Sequence, residues 1–259
     1  MSMVLTHLHD DIGTITMNNP ERMNVLSSAM VDDMLQALDL LEKERARVIV
    51  LRAYEGANVW SAGHDVHELP VAGRDPLPYD DPLETVLRSI QASPLPVIAM
   101  IDGGVWGGAC DLALSCDILI GSPAASLTMT PAKISVPYTA SGILHFTGIM
   151  GVNIAKEMFF SAQPLSAERA VKLGVLNHLI PADELERFTY ELAGKITKNS
   201  PLSIKVIKEQ ICLLAGAHPL SPHAFERIQG LRRMVYDSTD YAEGIHAFLE
   251  KRPPVFQGE

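Results

Sequence analysis

The stretch Pro96-Val97-Ile98-Ala99-Met100-Ile101-Asp102-Gly103-Gly104-Val105-Trp106-Gly107-Gly108-Ala109 decides the fold. Its first six residues form a continuous apolar run, the pattern of a strand covered on both faces. Glycines at 103, 104, 107 and 108 follow, and then a helix-like stretch, Cys110–Cys116. Strand, glycine turn and helix in that order form one α/β unit. Glycine allows backbone angles and close approaches that other residues forbid. A glycine turn that opens a helix also leaves backbone N–H groups without partners, directed at whatever lies beyond the turn. The turn matches neither GxGxxG nor GxxxxGK[ST], so dinucleotide-binding and P-loop readings fail.

Working outward, Val59-Trp60-Ser61-Ala62-Gly63-His64-Asp65-Val66 is a second glycine loop, placed after a strand ending near Ala53. Two such loops at the ends of neighbouring strands can aim two backbone N–H groups at one oxygen that gains negative charge. Two tight turns serving only close helix–strand packing fit the spacing equally well. The spacing leaves both readings open.

The rest of the chain fits the α/β reading. Val4–His9 and Ile12–Met17 alternate and flank Asp10-Asp11, which predicts a hairpin. Ser27 or Ser28 caps a helix with Met30, Met34, Leu38 and Leu41 on one face, and Asp32 and Asp33 are expected in its first turn. Arg47–Leu51 and Asp117–Ile120 read as further buried strands. Ala167–Leu173 reads as a short helix between Ser166 and Gly174. After Pro181 the strand pattern stops, and Asp183–Lys198, Pro201–Ala215, Pro222–Tyr236 and Asp240–Lys251 read as helices. The expected division is an α/β core over residues 1–198 and a helical region over 199–259.

Composition narrows the function classes. The 259 residues carry 21 Lys and Arg against 31 Asp and Glu, a net charge of −10. A nucleic-acid binder shows a basic balance instead, and an anionic membrane surface would repel this chain. Cys110, Cys116 and Cys212 are odd in number and far apart, so neither a disulfide framework nor a zinc module is read. They are expected as buried small hydrophobes in a reducing compartment. Residues 1–11 lack the basic and apolar segments of a secretory signal, and no run approaches a membrane span. A cytoplasmic location is expected.

Four pieces in order resemble the crotonase (enoyl-CoA hydratase/isomerase) superfamily: Asn19–Leu26, Ser61–Asp65, Trp106–Ala113 and Glu243–Arg252. Within it, His64–Pro70, Gly73–Leu83, Met129–Pro131, Val136–Tyr138, Phe225–Gly230 and Val235–Ser238 resemble the branch that decarboxylates methylmalonyl-type CoA thioesters. The resemblance implies an α/β spiral of β-β-α turns, with a C-terminal helical region that assembles trimers or hexamers. It implies an acyl-CoA substrate and no metal or organic cofactor.

The resemblance also assigns roles by position. Backbone N–H groups of His64 and Gly108 would form an oxyanion hole for the thioester carbonyl. Ala62, Gly63, His64, Asp65 and Val66, with Thr130, would line the acyl and pantetheine channel, and Lys251 would meet the CoA phosphates or adenine. Tyr138 would hydrogen-bond the departing carboxylate. Hydratases of the family place two glutamates on a water. Here Asp111 holds one position, as a possible acid/base or as a first-turn acid, and Thr130-Pro131 leaves the other without a carboxylate. His67 is expected at a loop or helix start, and Trp60 and Trp106 in packing. Decarboxylation is the leading expectation, ahead of enoyl-CoA hydratase or isomerase chemistry through Asp111 and of a non-catalytic acyl-CoA binding module.

Overall fold

The computed structural model describes residues 2–70, 73–216 and 221–258. The chain opens with the expected hairpin, β1 (Val4–His9) and β2 (Ile12–Met17), turning through Asp10 and Asp11, both with left-handed φ. α1 (Ser28–Lys43) follows, its N-terminus capped by the Ser27 hydroxyl on the Met30 amide. Met30, Met34 and Leu41 are buried. Asp32 and Asp33 lie beyond the first turn rather than in it, and Asp33 instead accepts the Met3 amide at 2.8 Å.

Next come β3 (Val48–Ala53), β4 (Val59–Ser61), α2 (Pro82–Ala92), β5 (Val97–Ile101), β6 (Gly104–Trp106), α3 (Gly108–Leu114), β7 (Ile118–Gly121) and β8 (Ser126–Thr128). Two strands and a helix repeat, and each strand pair divides itself between two sheets. The first sheet runs β1-β2-β3-β5-β7 and ends on β10 (His178–Leu179); from β2 onward its pairs are parallel. The second runs β4-β6-β8 in parallel and ends on the antiparallel β9 (Leu165–Ser166). β4 and β6 therefore intervene between the long strands and the glycine loops. The sequence pattern missed them because three-residue strands carry almost no periodicity.

The continuous apolar runs are explained by cover on both faces. Successive side chains alternate across a strand. Ile49, Leu51, Val97, Ala99 and Ile101 join the main core, while Val48, Val50, Ile98 and Met100 pack on α7 (Ala182–Ile196) through Leu185 and Ala193. Between the sheets' last strands lie α4 (Ala140–Met150), α5 (Val152–Ser161) and α6 (Ala167–Lys172). α2, α4 and α5 were not anticipated.

The four C-terminal helices occur where the sequence places them, with ends shifted by one or two residues. α8 (Pro201–Ala215) and α9 (Pro222–Tyr236) are largely exposed, each holding one buried cation. Lys208 donates to the carbonyls of Ile90 and Leu95 and to Asp117. Arg232 grips Asp75 with two nitrogens, at 2.6 and 2.7 Å. Cys110 and Cys116 are buried, but Cys212 on α8 is exposed, contrary to expectation, because none of the described residues covers that face of α8. No helix among the described residues is long and apolar enough to cross a membrane.

α10 (Thr239–Leu249) returns to the core. Tyr241 and Ile245 pack on Leu69 and Leu77, and the Tyr241 hydroxyl donates to the Pro70 carbonyl at 2.7 Å. Gly244 sits against the Ile134 carbonyl with no room for a Cβ. Gly244→Ala should lower the unfolding free energy by about 1–3 kcal/mol through overpacking, read as a reduced urea midpoint at unchanged slope. An unchanged midpoint would show that α10 shifts without cost.

Candidate functional site

The parallel pairing of β4 with β6, Val59 to Gly104 and Ser61 to Val105, carries the two glycine loops to one place. Gly63 has φ +85°, and a Cβ there would enter the Trp106 carbonyl oxygen. Gly107 has φ +53° and leads directly into α3. A Cβ on Gly108 would lie 3.6 Å from the His64 amide nitrogen. The His64 and Gly108 amides are therefore neighbours. Neither donates to any acceptor among the described residues. Of the two readings left open by the spacing, this geometry supports a pair of amides poised for one oxygen, since purely structural turns satisfy their donors.

The segment Asn19–Leu26 clamps the first loop from outside. Met23 and Asn24 take left-handed φ, and the buried Asn24 amide donates to the Trp60 carbonyl. Ser61 returns a hydroxyl to the Asn24 carbonyl at 2.7 Å and accepts the Gly63 amide. Leu26 donates its amide to the Gly63 carbonyl at 2.8 Å. With the Ala62, Gly63 and Asp65 amides and the Gly63 carbonyl engaged on either side of it, the His64 amide is held in a fixed direction.

These amides open on a cavity of about 640 Å³. Ala62, His64, Asp65, Val66, Gly108, Thr130, Tyr138 and Lys251 all line it, as the resemblance implies; Gly63 lies behind, shaping the turn. Trp106 also lines it, whereas Trp60 is fully buried with its indole nitrogen donating to the Met100 carbonyl. His67 falls in a short 3-10 turn, Val66–Glu68, at the cavity wall. Arg22, Lys133 and Lys251 bring three cations to a chain of net charge −10. Arg22 and Lys133 have no distinguishing sequence pattern and emerge only from the fold. Arg22 also binds both oxygens of the buried Asp65, at 2.8 and 2.9 Å, which leaves that carboxylate no freedom to act as a base.

Asp111 does not line the cavity. Its carboxylate is buried behind Tyr138, where Oδ1 accepts from His145 Nδ1 at 2.6 Å and Oδ2 accepts from the Tyr138 hydroxyl at 3.0 Å. The first-turn position in α3 is as expected, but the partners come from the loop before α4 and from α4 itself. Burial first, and the negative Asp111 second, hold the Tyr138 hydroxyl well above its ordinary pKa. Nearby, burial also raises the carboxyl of Glu84, which is bonded to Ser141.

The His64 ring is held at both nitrogens. Nδ1 faces the Asp65 carbonyl at 3.1 Å and Nε2 faces Asp81 Oδ2 at 3.2 Å, while Asp81 Oδ1 caps α2 on the Leu83 amide. A carbonyl and a carboxylate only accept, so the imidazolium is the form that satisfies both. Burial opposes that charge, but the hydrogen bond and attraction of Asp81 outweigh it, and the His64 pKa is raised. A raised folded-state pKa means stability present below the ordinary value near 6.5 and lost as pH climbs through the folded-state value. His64 should titrate above 6.5 by NMR and fall back in Asp81→Asn. A midpoint unmoved by that substitution would show that Asp81 does not hold the charge.

Comparison with known proteins places the chain in a family. The family described as Enoyl-CoA hydratase/isomerase matches residues 8–259. Methylmalonyl-CoA decarboxylase of Escherichia coli (strain K12) is 48% identical over 247 residues, 95% of each chain. A short-chain-enoyl-CoA hydratase of Clostridium acetobutylicum is 26% identical over 261 residues, 97% of this chain and 96% of its own. Among solved structures, methylmalonyl-CoA decarboxylase in complex with 2-nitronate-propionyl-CoA superposes with TM-score 0.97 at 46% identity, covering 99% of each chain. The same enzyme complexed with 2S-carboxypropyl-CoA gives TM-score 0.97 over 100% of this chain and 99% of its own. With paired amides at the mouths of two glycine loops and a family match spanning almost its whole length, the chain belongs to the enoyl-CoA hydratase/isomerase family, the crotonase superfamily.

Proposed function

We propose that this protein decarboxylates methylmalonyl-CoA, or a closely related malonyl-type CoA thioester, to propionyl-CoA and CO2. The observation that carries the reading is the pair of unpartnered amides at His64 and Gly108, in a cavity whose wall at Thr130 and Pro131 has no carboxylate where hydratases of the family place their second glutamate. Asp65 is bound by Arg22 and Asp111 lies behind Tyr138, which leaves Glu21 as the lining carboxylate without a partner among the described residues. The 48% identity to a methylmalonyl-CoA decarboxylase supports the same chemistry.

Breaking the bond between the α-carbon and the carboxylate releases CO2 and leaves its electron pair on the α-carbon. Conjugation carries that charge onto the thioester oxygen as an enolate. Two fixed N–H donors stabilise it there, and loss of one such donor costs about 3–4 kcal/mol of transition-state stabilisation. A proton then restores the α-carbon. The thioester carbonyl is the electron sink, so the reaction requires neither metal nor organic cofactor, and coenzyme A belongs to the substrate. Lys133 and Lys251, which have no ion pair among the described residues, suit its phosphates as local cations on an acidic protein.

The same reading gives residues 1–198 the acyl site and 199–259 the assembly surface and CoA contact. Leu202, Ile211 and Leu214 on α8 and Met234 on α9 are more than half exposed, a surface suited to a homotrimer or homohexamer. Three unpaired thiols suit a cytoplasmic setting. Nucleic acid and membrane are not partners in this reading.

Purified protein mixed with methylmalonyl-CoA should yield propionyl-CoA by mass spectrometry and leave crotonyl-CoA unhydrated. Gly63→Ala, checked for its fold by circular dichroism, should reduce kcat by about 100-fold or more. Hydration of crotonyl-CoA with no CO2 release would instead favour an enoyl-CoA hydratase.

A further inference from the structure

The one proton of the Tyr138 hydroxyl already has an acceptor. It points at Asp111 Oδ2, 3.0 Å away, and the other Asp111 oxygen is held by His145 at 2.6 Å. No other group among the described residues donates to that carboxylate. The Tyr138 ring is fixed independently, 5.2 Å from the Phe159 ring and 6.2 Å from the Phe146 ring. Gly142 backs the cluster, where a Cβ would strike the Tyr138 ring and come within 2.9 Å of Asp111 Oδ2. The arrangement is tight and directional.

In this bond the Tyr138 hydroxyl donates and the carboxylate oxygen accepts. A hydroxyl that donates to Asp111 turns lone pairs, not hydrogen, toward its remaining neighbours. Tyr138 lines the cavity, so the cavity meets an acceptor there. A substrate carboxylate beside it gains no hydrogen bond from Tyr138 and faces Asp111 at one remove. The ionised substrate is thereby left poorly solvated, while neutral CO2 loses nothing. Such an environment raises the ground state relative to the transition state.

We propose that Asp111 and His145 are positioning residues which turn the Tyr138 proton away from the cavity and so disfavour the bound substrate carboxylate. This reverses the role the resemblance implies for Tyr138, from holding the carboxylate to withholding a donor. It rests on the decarboxylase reading for its catalytic consequence, though not for its binding consequence. His145 acts through Asp111: its ring fixes Oδ1, and without that bond the carboxylate no longer holds Oδ2 in place to keep the Tyr138 hydrogen turned from the cavity. The aspartate in this chain is one methylene shorter than the glutamate of hydratases, and His145 closes on it from α4.

The test compares Asp111→Asn, His145→Phe and His145→Asn with the unaltered protein, using 2-carboxypropyl-CoA as a carboxylate-bearing probe and propionyl-CoA as one without it. In Asp111→Asn and His145→Phe, calorimetry should show several-fold tighter binding of 2-carboxypropyl-CoA with propionyl-CoA affinity unchanged. Their kcat for methylmalonyl-CoA should fall about tenfold while KM also falls, the sign of relieved ground-state strain. His145→Asn, which keeps an N–H donor, should retain most of kcat. Equal weakening of both probes, or no change in either, would overturn the proposal. Should the unaltered protein show no decarboxylation at all, the functional reading fails, and the two-probe comparison still decides the direction of the Tyr138 proton.

Discussion

Everything in the site depends on one close approach, the Gly63 α-carbon against the Trp106 carbonyl, with the Gly108 amide beside it. No side chain fits between the two loops, and left-handed φ at Gly63 keeps all residues but glycine at a disadvantage. That approach sets the His64 and Gly108 amides side by side. It exists because β4 and β6 pair in parallel and end together. The clamp of Asn24 and Ser61 then fixes the first loop through the Trp60 and Asn24 carbonyls, beside the two unpartnered donors.

The electrostatics around those amides are layered. The two backbone donors stand beside a His64 ring held at both nitrogens by Asp81 and the Asp65 carbonyl. Around them the polar side chains bind one another: Asp65 with Arg22, and Asp111 with His145 and Tyr138. Fixed groups of this kind cost no reorganisation when charge moves in the substrate.

How much of this could be read from residues follows from the range of each interaction. The long buried strands were legible because apolar runs such as Val97–Ile101 record cover on both faces. The C-terminal helices were legible from their Ser and Pro starts, seen in the caps at Ser200 and Ser221. The glycine loops were visible, but not that their amides are unpaired, because that depends on what β4 and β6 bring against them. Asp81-Pro82 carries an ordinary helix-start signature, and only the fold shows that its second oxygen reaches His64, 17 residues away. His145 sits in an apolar helix, 34 residues from Asp111, and no local pattern marks it. Asp111 was placed in the first turn of its helix, while the partners that remove it from the cavity are non-local.

The central claim is that two backbone amides polarise a thioester carbonyl. Infrared difference spectroscopy of propionyl-CoA carrying a 13C label at that carbonyl reads it directly. A stretch shifted to lower frequency in the bound state than in water, and restored toward the water value in Gly63→Ala, is the expected result. A bound carbonyl at or above its frequency in water would contradict the paired-amide site.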